Sequence, residues 1–260
     1  MVLEMDDIGS GLPVVLLHAF PLSRAMWQPQ RGMLADLCRL ITPDLPGFGG
    51  SPLLGDTPSV DGMADAVAET LDSLGITGPI VLGGLSMGGY VAFAFARKYP
   101  DRLAGLILAD TRAEPDDDAA KANRDKLIGL ASTSPASTII DQMLPKLLGT
   151  STPDRRPDLV ELVRRIGAEQ RPAGILAAVQ ALRDRPDSRP LLREIRVPTL
   201  VLVGREDVLT PPAMAESMAK GIAGAKLVIL EEAGHLSNME QPVAFSDAVR
   251  RFVAAIRVRQ

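Results

Sequence analysis

Apolar residues along this chain fall into two rhythms. Short β-branched and aliphatic runs at residues 13–18 (PVVLLH), 80–82 (IVL), 103–109 (LAGLILA), 198–204 (PTLVLVG) and 226–230 (KLVIL) predict buried strands. Residues 40–42 predict another, and residues 2–5 a further one before a Gly-Ser-Gly turn. Other segments carry apolar residues at helical spacing. Met63, Val67, Leu71 and Leu74 predict a helix over 60–74, and residues 90–98 one that stops before Pro100. Residues 213–222 predict a third, and 242–257 a last one with Phe245, Val249, Phe252, Val253 and Ile256 inward. Residues 19–27 read as a loop, followed by a helix reaching about Cys38. Alternating strands and helices predict an α/β fold, with a mostly parallel central sheet covered by helices on both faces.

The alternation breaks at residues 113–194, where no strand-like run occurs. Leu127/Leu130, Ile139/Ile140/Met143/Leu144/Leu147 and Leu159/Leu162/Val163/Ile166 recur at helical spacing between prolines such as Pro135, Pro145, Pro157 and Pro172. So long a segment without structure is uncommon in a compact domain, so it reads as an inserted helical cap. The expected organisation is a core of residues 1–112 and 195–260 and a cap of 113–194.

Bulk composition narrows the function. With 46% hydrophobic residues among 260, one large core is affordable, and a net charge of −4 gives no basic footprint for nucleic acid. Cys38 alone excludes an internal disulfide and a cysteine-rich zinc site, and two histidines leave little for a multi-histidine metal site. No metal and no cofactor are expected. The start, MVLEMDDIGSG, has neither a basic nor an apolar leader region, so a cytoplasmic protein is expected. Residues 73–96 are uncharged and long enough to cross a bilayer. Their many glycines, Pro79 and the continuation into Arg97 and Lys98 argue against a span. No membrane partner is expected, and both a monomer and a homo-oligomer are compatible.

The candidate chemistry centres on Gly84-Leu85-Ser86-Met87-Gly88-Gly89. The bare G-x-S-x-G pattern arises by chance in many chains. A strand before it and a helix after it make it a nucleophile elbow. The turn is so tight that neighbouring backbone passes close, so Gly84 and Gly88 lack Cβ, and the Ser86 hydroxyl is pushed outward. A serine needs a base, usually a histidine oriented by a carboxylate. His235 follows the last strand, and Asp207 follows the strand at 200–203, giving the order Ser, Asp, His. The blander readings are a capped loop histidine for His235 and a helix cap or surface charge for Asp207. Asp110 ends another strand and competes as the acid. His18 reads better as a structural anchor than as a base. The oxyanion donors expected are the N–H groups of Met87 and Phe20.

These motifs, with His18-Ala19-Phe20-Pro21, residues 44–51 (DLPGFGGS), Gly204-Arg205-Glu206-Asp207 and Gly234-His235, resemble the α/β-hydrolase family, and within it the branch of small carboxylesterases and 3-oxoadipate enol-lactonases. Ala19 stands where that family usually has Gly, and the short start leaves room for only part of the family's first antiparallel strand pair. The resemblance implies a cofactor-free serine hydrolase of a small-molecule ester or lactone, with Ser86, Asp207 and His235 catalytic and Phe20 and Met87 at the oxyanion hole. The alternatives are a 3-oxoadipate enol-lactonase or related lactonase, and a non-catalytic small-molecule binder of the same fold. Trp27, Met143, Leu144, Leu147 and Arg171 are expected to bind substrate. Uncharged acyl esters are expected to be preferred, with Arg171 as the cation that would hold a carboxylate-bearing lactone.

Overall fold

The computed structural model describes residues 1–55 and 58–257; residues 56 and 57, and the last three of the expected core, lie outside the described residues. The first half runs β1 (Met5–Ile8), β2 (Pro13–Leu17), α1 (Gln28–Leu34), β3 (Arg39–Pro43), α2 (Val60–Ser73), β4 (Ile80–Leu85), α3 (Met87–Lys98) and β5 (Leu103–Ala109). Five helices follow: α4 (Asp118–Ala131), α5 (Ala136–Leu147), α6 (Thr152–Arg155), α7 (Pro157–Ala168) and α8 (Pro172–Arg183). The chain then resumes β6 (Thr199–Gly204), α9 (Pro212–Gly221), β7 (Lys226–Leu230), α10 (Ser237–Glu240) and α11 (Pro242–Arg257).

The seven strands form one sheet in the order β1-β3-β2-β4-β5-β6-β7. Among the described residues only β1 is antiparallel, pairing Met5 with Pro43 and Ile8 with Leu40. Period-two alternation splits the strands between two core layers. Val15, Leu17, Leu82, Leu106, Leu108, Val201 and Val203 face α2, α3 and α9. Val14, Leu16, Val81, Ile107, Leu200 and Leu202 face α1 and α11. Each such fully buried side chain contributes about 1.5–3 kcal/mol, which makes the sheet a rigid platform.

Three local expectations are corrected. The first strand starts at Met5 rather than Val2, because this edge strand tolerates polar Asp6 and Asp7; Asp7 pairs with Arg39 at 2.7 Å and Asp6 with Arg31 at 3.0 Å. Within the expected 19–27 loop, Arg24–Trp27 form a 3-10 turn opened by the Ser23 side chain, and α1 ends at Leu34, short of Cys38. Pro145 lies inside α5, in its last turn, rather than between helices.

The inserted helices do not stand apart from the sheet. In α8, Ile175, Ala178, Val179 and Leu182 join the same core layer as Leu17, Phe20 and Phe48. Gly174 lies so close to Gly47 that a Cβ would meet its carbonyl oxygen. The segment between α5 and α6 is tied to the core by buried Glu240, which accepts from Gly149 N at 2.7 Å and Thr152 Oγ1 at 2.5 Å. Among the described residues, no helix is long and apolar enough to cross a membrane; residues 73–96 instead supply the end of α2, β4 and most of α3.

Candidate active site

Ser86 sits between β4 and α3 with φ 54 and ψ −111, a left-handed conformation that a side chain rarely adopts. The neighbouring glycines make it possible. A Cβ on Gly84 would run into the Gly88 carbonyl, and one on Gly88 into the Leu17 carbonyl of β2. The hydroxyl therefore stands where α3 begins, and its N-terminal N–H groups point to the same place.

His235 follows β7 and is buried. Its Nδ1 bonds Asp207 Oδ2 at 2.8 Å, and the Thr210 hydroxyl lies 3.3 Å from the same nitrogen. Among the described residues, Nε2 has no hydrogen-bond partner. Asp207 is held from several sides. Oδ1 accepts from Leu209 N at 2.8 Å and Thr210 N at 3.0 Å, and Oδ2 accepts from Thr210 Oγ1 at 2.6 Å. Burial by itself would raise the Asp207 carboxyl, but the charge of His235 and these donors outweigh it and hold the group below the usual carboxylate range. Glu240 fixes the histidine loop by accepting from Gly234 N at 2.9 Å; burial pushes its own carboxyl up despite these N–H donors.

Asp110, the competing acid, is turned elsewhere. Its backbone is left-handed at φ 42, Oδ1 accepts from Gly204 N at 2.8 Å, and Oδ2 accepts from the Ser237 hydroxyl. Complete burial, then the nearby charge of Asp207, push its carboxyl well up. His18 is committed as well. Nδ1 donates to Ala19 O at 3.0 Å and Nε2 accepts from Leu45 N at 2.8 Å, while burial keeps the ring toward its neutral form. It pins the loop carrying Phe20 against the 44–51 loop. Ala19 fits without Gly at that position and donates its N–H to Met26 Sδ at 3.2 Å. The N–H groups of Phe20 and Met87 have no protein acceptor among the described residues.

Ser86, His235, Phe20, Met143 and Leu147 line one cavity of about 140 Å³. Arg112, Arg124, Tyr90, Leu182, Leu209 and Thr210 complete its wall, and none of these was singled out by sequence reasoning. The rule that placed Asp110 at the carboxyl end of a strand also covers Arg112, two residues on. Arg124, in mid-helix, carries no comparable signal. Three expected substrate contacts are not among the lining residues. Trp27 is buried against Phe245, with ring centroids 5.9 Å apart, because the 3-10 turn points it into the core. Leu144 packs into the layer that holds Leu16 and Val163. Arg171 precedes α8 and donates to the Ser51 carbonyl. Among the described residues there is no cluster of three or more His, Cys, Asp or Glu that would hold a metal ion.

The profile of the alpha/beta hydrolase family matches residues 14–248. A thermophilic esterase from Thermogutta terrifontis, solved with malate bound, is 47% identical; the match covers 98% of this chain and 93% of that one, with a TM-score of 0.94. A pimeloyl-[acyl-carrier protein] methyl ester esterase of Neisseria meningitidis serogroup C is 31% identical, over 94% of this chain and 94% of that protein. The 3-oxoadipate enol-lactonase 2 of Acinetobacter baylyi is 30% identical, over 91% of this chain and 86% of its own length.

Proposed function

The chain belongs to the alpha/beta hydrolase family, and on that premise we propose that it is a serine hydrolase that cleaves carboxylic esters through an acyl-enzyme. One observation carries the reading: Ser86 and His235 line the same cavity, while the other face of His235 is committed to a carboxylate. The bond to Asp207 fixes a proton on Nδ1 and leaves Nε2 as the base. Nε2 takes the Ser86 proton as Oγ attacks the ester carbonyl. Asp207, held ionised, steadies the imidazolium that forms. The N–H groups of Phe20 and Met87 receive the oxyanion. The imidazolium then protonates the departing alcohol, and water, activated by the same histidine, releases the acid. The helices of residues 113–194 roof the cavity through Met143, Leu147 and Leu182.

The names of the relatives, two esterases and a lactonase, support acyl transfer to water as the shared chemistry. A lactone is an internal ester and needs no different machinery. Ser86→Ala should lower kcat on p-nitrophenyl butyrate by roughly 10⁶, since only binding and oxyanion contacts remain. Near-normal turnover in that variant would mean that a covalent serine is not used.

A further inference from the structure

The cavity that holds Ser86 also holds a concentration of positive charge. Arg112, just past β5, and Arg124, in α4, both line it. With Met143 and Leu209, the same two arginines also line a wider cavity of about 590 Å³. These four shared residues make the smaller space the inner end of the larger. Lys126 and Lys146 line the outer part, where, among the described residues, Asp116 is the one acidic lining residue.

Asp116 is the common anchor. Arg112 Nη2 lies 2.5 Å from its Oδ1, Arg124 Nε 3.0 Å from its Oδ2, and Arg185 Nη1 2.7 Å from its Oδ1. One fully buried carboxylate thus neutralises one of three guanidinium groups. Arg185 uses its donors structurally, on Leu182 O at 2.8 Å and Glu114 O at 3.0 Å, and stacks 4.1 Å over the Tyr90 ring. The other two keep donors in reserve. Arg112 meets Asp116 and Tyr90 but its buried Nε has no partner, and among the described residues Arg124 is engaged through Nε alone, which leaves its Nη groups to the cavity. Arg112 is 18% exposed and Arg124 21%, so both are partly desolvated yet reachable from the cavity. Two planar forks with spare N–H groups, oriented by a shared buried carboxylate, match a second carboxylate in geometry and charge.

Resting on the ester-hydrolase reading above, we propose that Arg112 and Arg124 form a carboxylate subsite. It selects monoesters of short dicarboxylic acids, with the ester at Ser86 and the free carboxylate on the arginine pair. The inner cavity, about 140 Å³, has the volume of four or five waters at ~30 Å³ each, which suits a short spacer. This reverses the sequence-based order of preference, because the cations that meet the cavity are Arg112 and Arg124 and not Arg171.

The test compares initial rates on monomethyl adipate and dimethyl adipate, which share a chain and differ in one charge. Wild-type kcat/KM should favour the monoester by roughly tenfold to a hundredfold, the lower end of what a close charge pair commands. Arg124→Gln should shrink that ratio by roughly tenfold, mainly through KM for the monoester. The wild-type comparison decides even if Arg124→Gln does not fold. Equal or better turnover of the diester would overturn the subsite and leave the ester-hydrolase reading intact. If neither ester is cleaved and Ser86 takes up no fluorophosphonate, the underlying reading falls and the subsite with it.

Discussion

Asp110 and Asp207 stand at the carboxyl ends of adjacent strands, yet only Asp207 bonds His235. Asp110 turns its oxygens to Gly204 N and Ser237 Oγ, so it braces the loops that carry Asp207 and His235. Two carboxylates one strand apart thus have different work. One is loaded with donors and held ionised, and the other is sealed from water and pushed toward its protonated form.

That division predicts unequal mutational costs. Asp207→Asn replaces an acceptor at His235 Nδ1 with an amide that favours the wrong tautomer. It should lower kcat by roughly 10⁴, as the same change does in a serine protease. Asp110→Asn keeps an acceptor for Gly204 N and should cost far less. Steady-state kinetics on one ester decide this, and a larger loss in the Asp110 variant would put the acid on β5.

Asp110 also predicts a pH dependence of stability. Its folded pKa is raised, so the folded state binds more protons than the unfolded chain. Its contribution is complete below the unfolded carboxyl value of about 3.9 and is lost as pH rises through the raised folded value. Wild type should therefore lose stability relative to Asp110→Asn between about pH 5 and about pH 8. Urea midpoints of both proteins at the two pH values measure it. A difference that stays constant, or grows in favour of wild type at alkaline pH, would contradict the assignment.

Much of the site is legible in the sequence because backbone constraint leaves local marks. Gly84 and Gly88 are required by close backbone contacts, and these contacts force the Ser86 turn, so a five-residue pattern reports a three-dimensional arrangement. The alternation of strands likewise follows from the sheet, whose carboxyl ends bring together the loops that carry the proposed Ser86, Asp207 and His235. The cavity wall is another matter. Leu144 and Leu147 share one apolar stripe of α5 and one core layer, and the stripe does not tell that Leu147 also borders the cavity while Leu144 does not. Arg171, next to Pro172 and before an apolar run, stands out as sequence, and mid-helix Arg124 does not. The Ser51 carbonyl engages the first, and buried Asp116 draws the second inward. Trp27 misleads because residues 19–27 read as a loop, whereas a 3-10 turn buries it against Phe245.

The packing of α8 predicts that the insertion is not removable. Joining Arg112 to Ile195 through a short Gly-Ser bridge would strip Ile175, Val179 and Leu182 from the layer containing Leu17 and Phe48. Each lost buried side chain costs about 2–5 kcal/mol, comparable in sum to the whole stability of a domain. The graft should show no cooperative thermal transition. A folded graft that retains wild-type ester preference would contradict both this packing and the role of the insertion as the cavity roof.

On the proposed mechanism the Ser86 oxygen is the nucleophile and His235 activates it. The most direct measurement is intact and peptide-level mass spectrometry after exposure to a fluorophosphonate, on wild type, Ser86→Ala and His235→Ala. Wild type should carry one stoichiometric adduct on the peptide containing Ser86, Ser86→Ala none, and His235→Ala should label more slowly by orders of magnitude. An adduct on another residue, or labelling of wild type no faster than of His235→Ala, would contradict that mechanism.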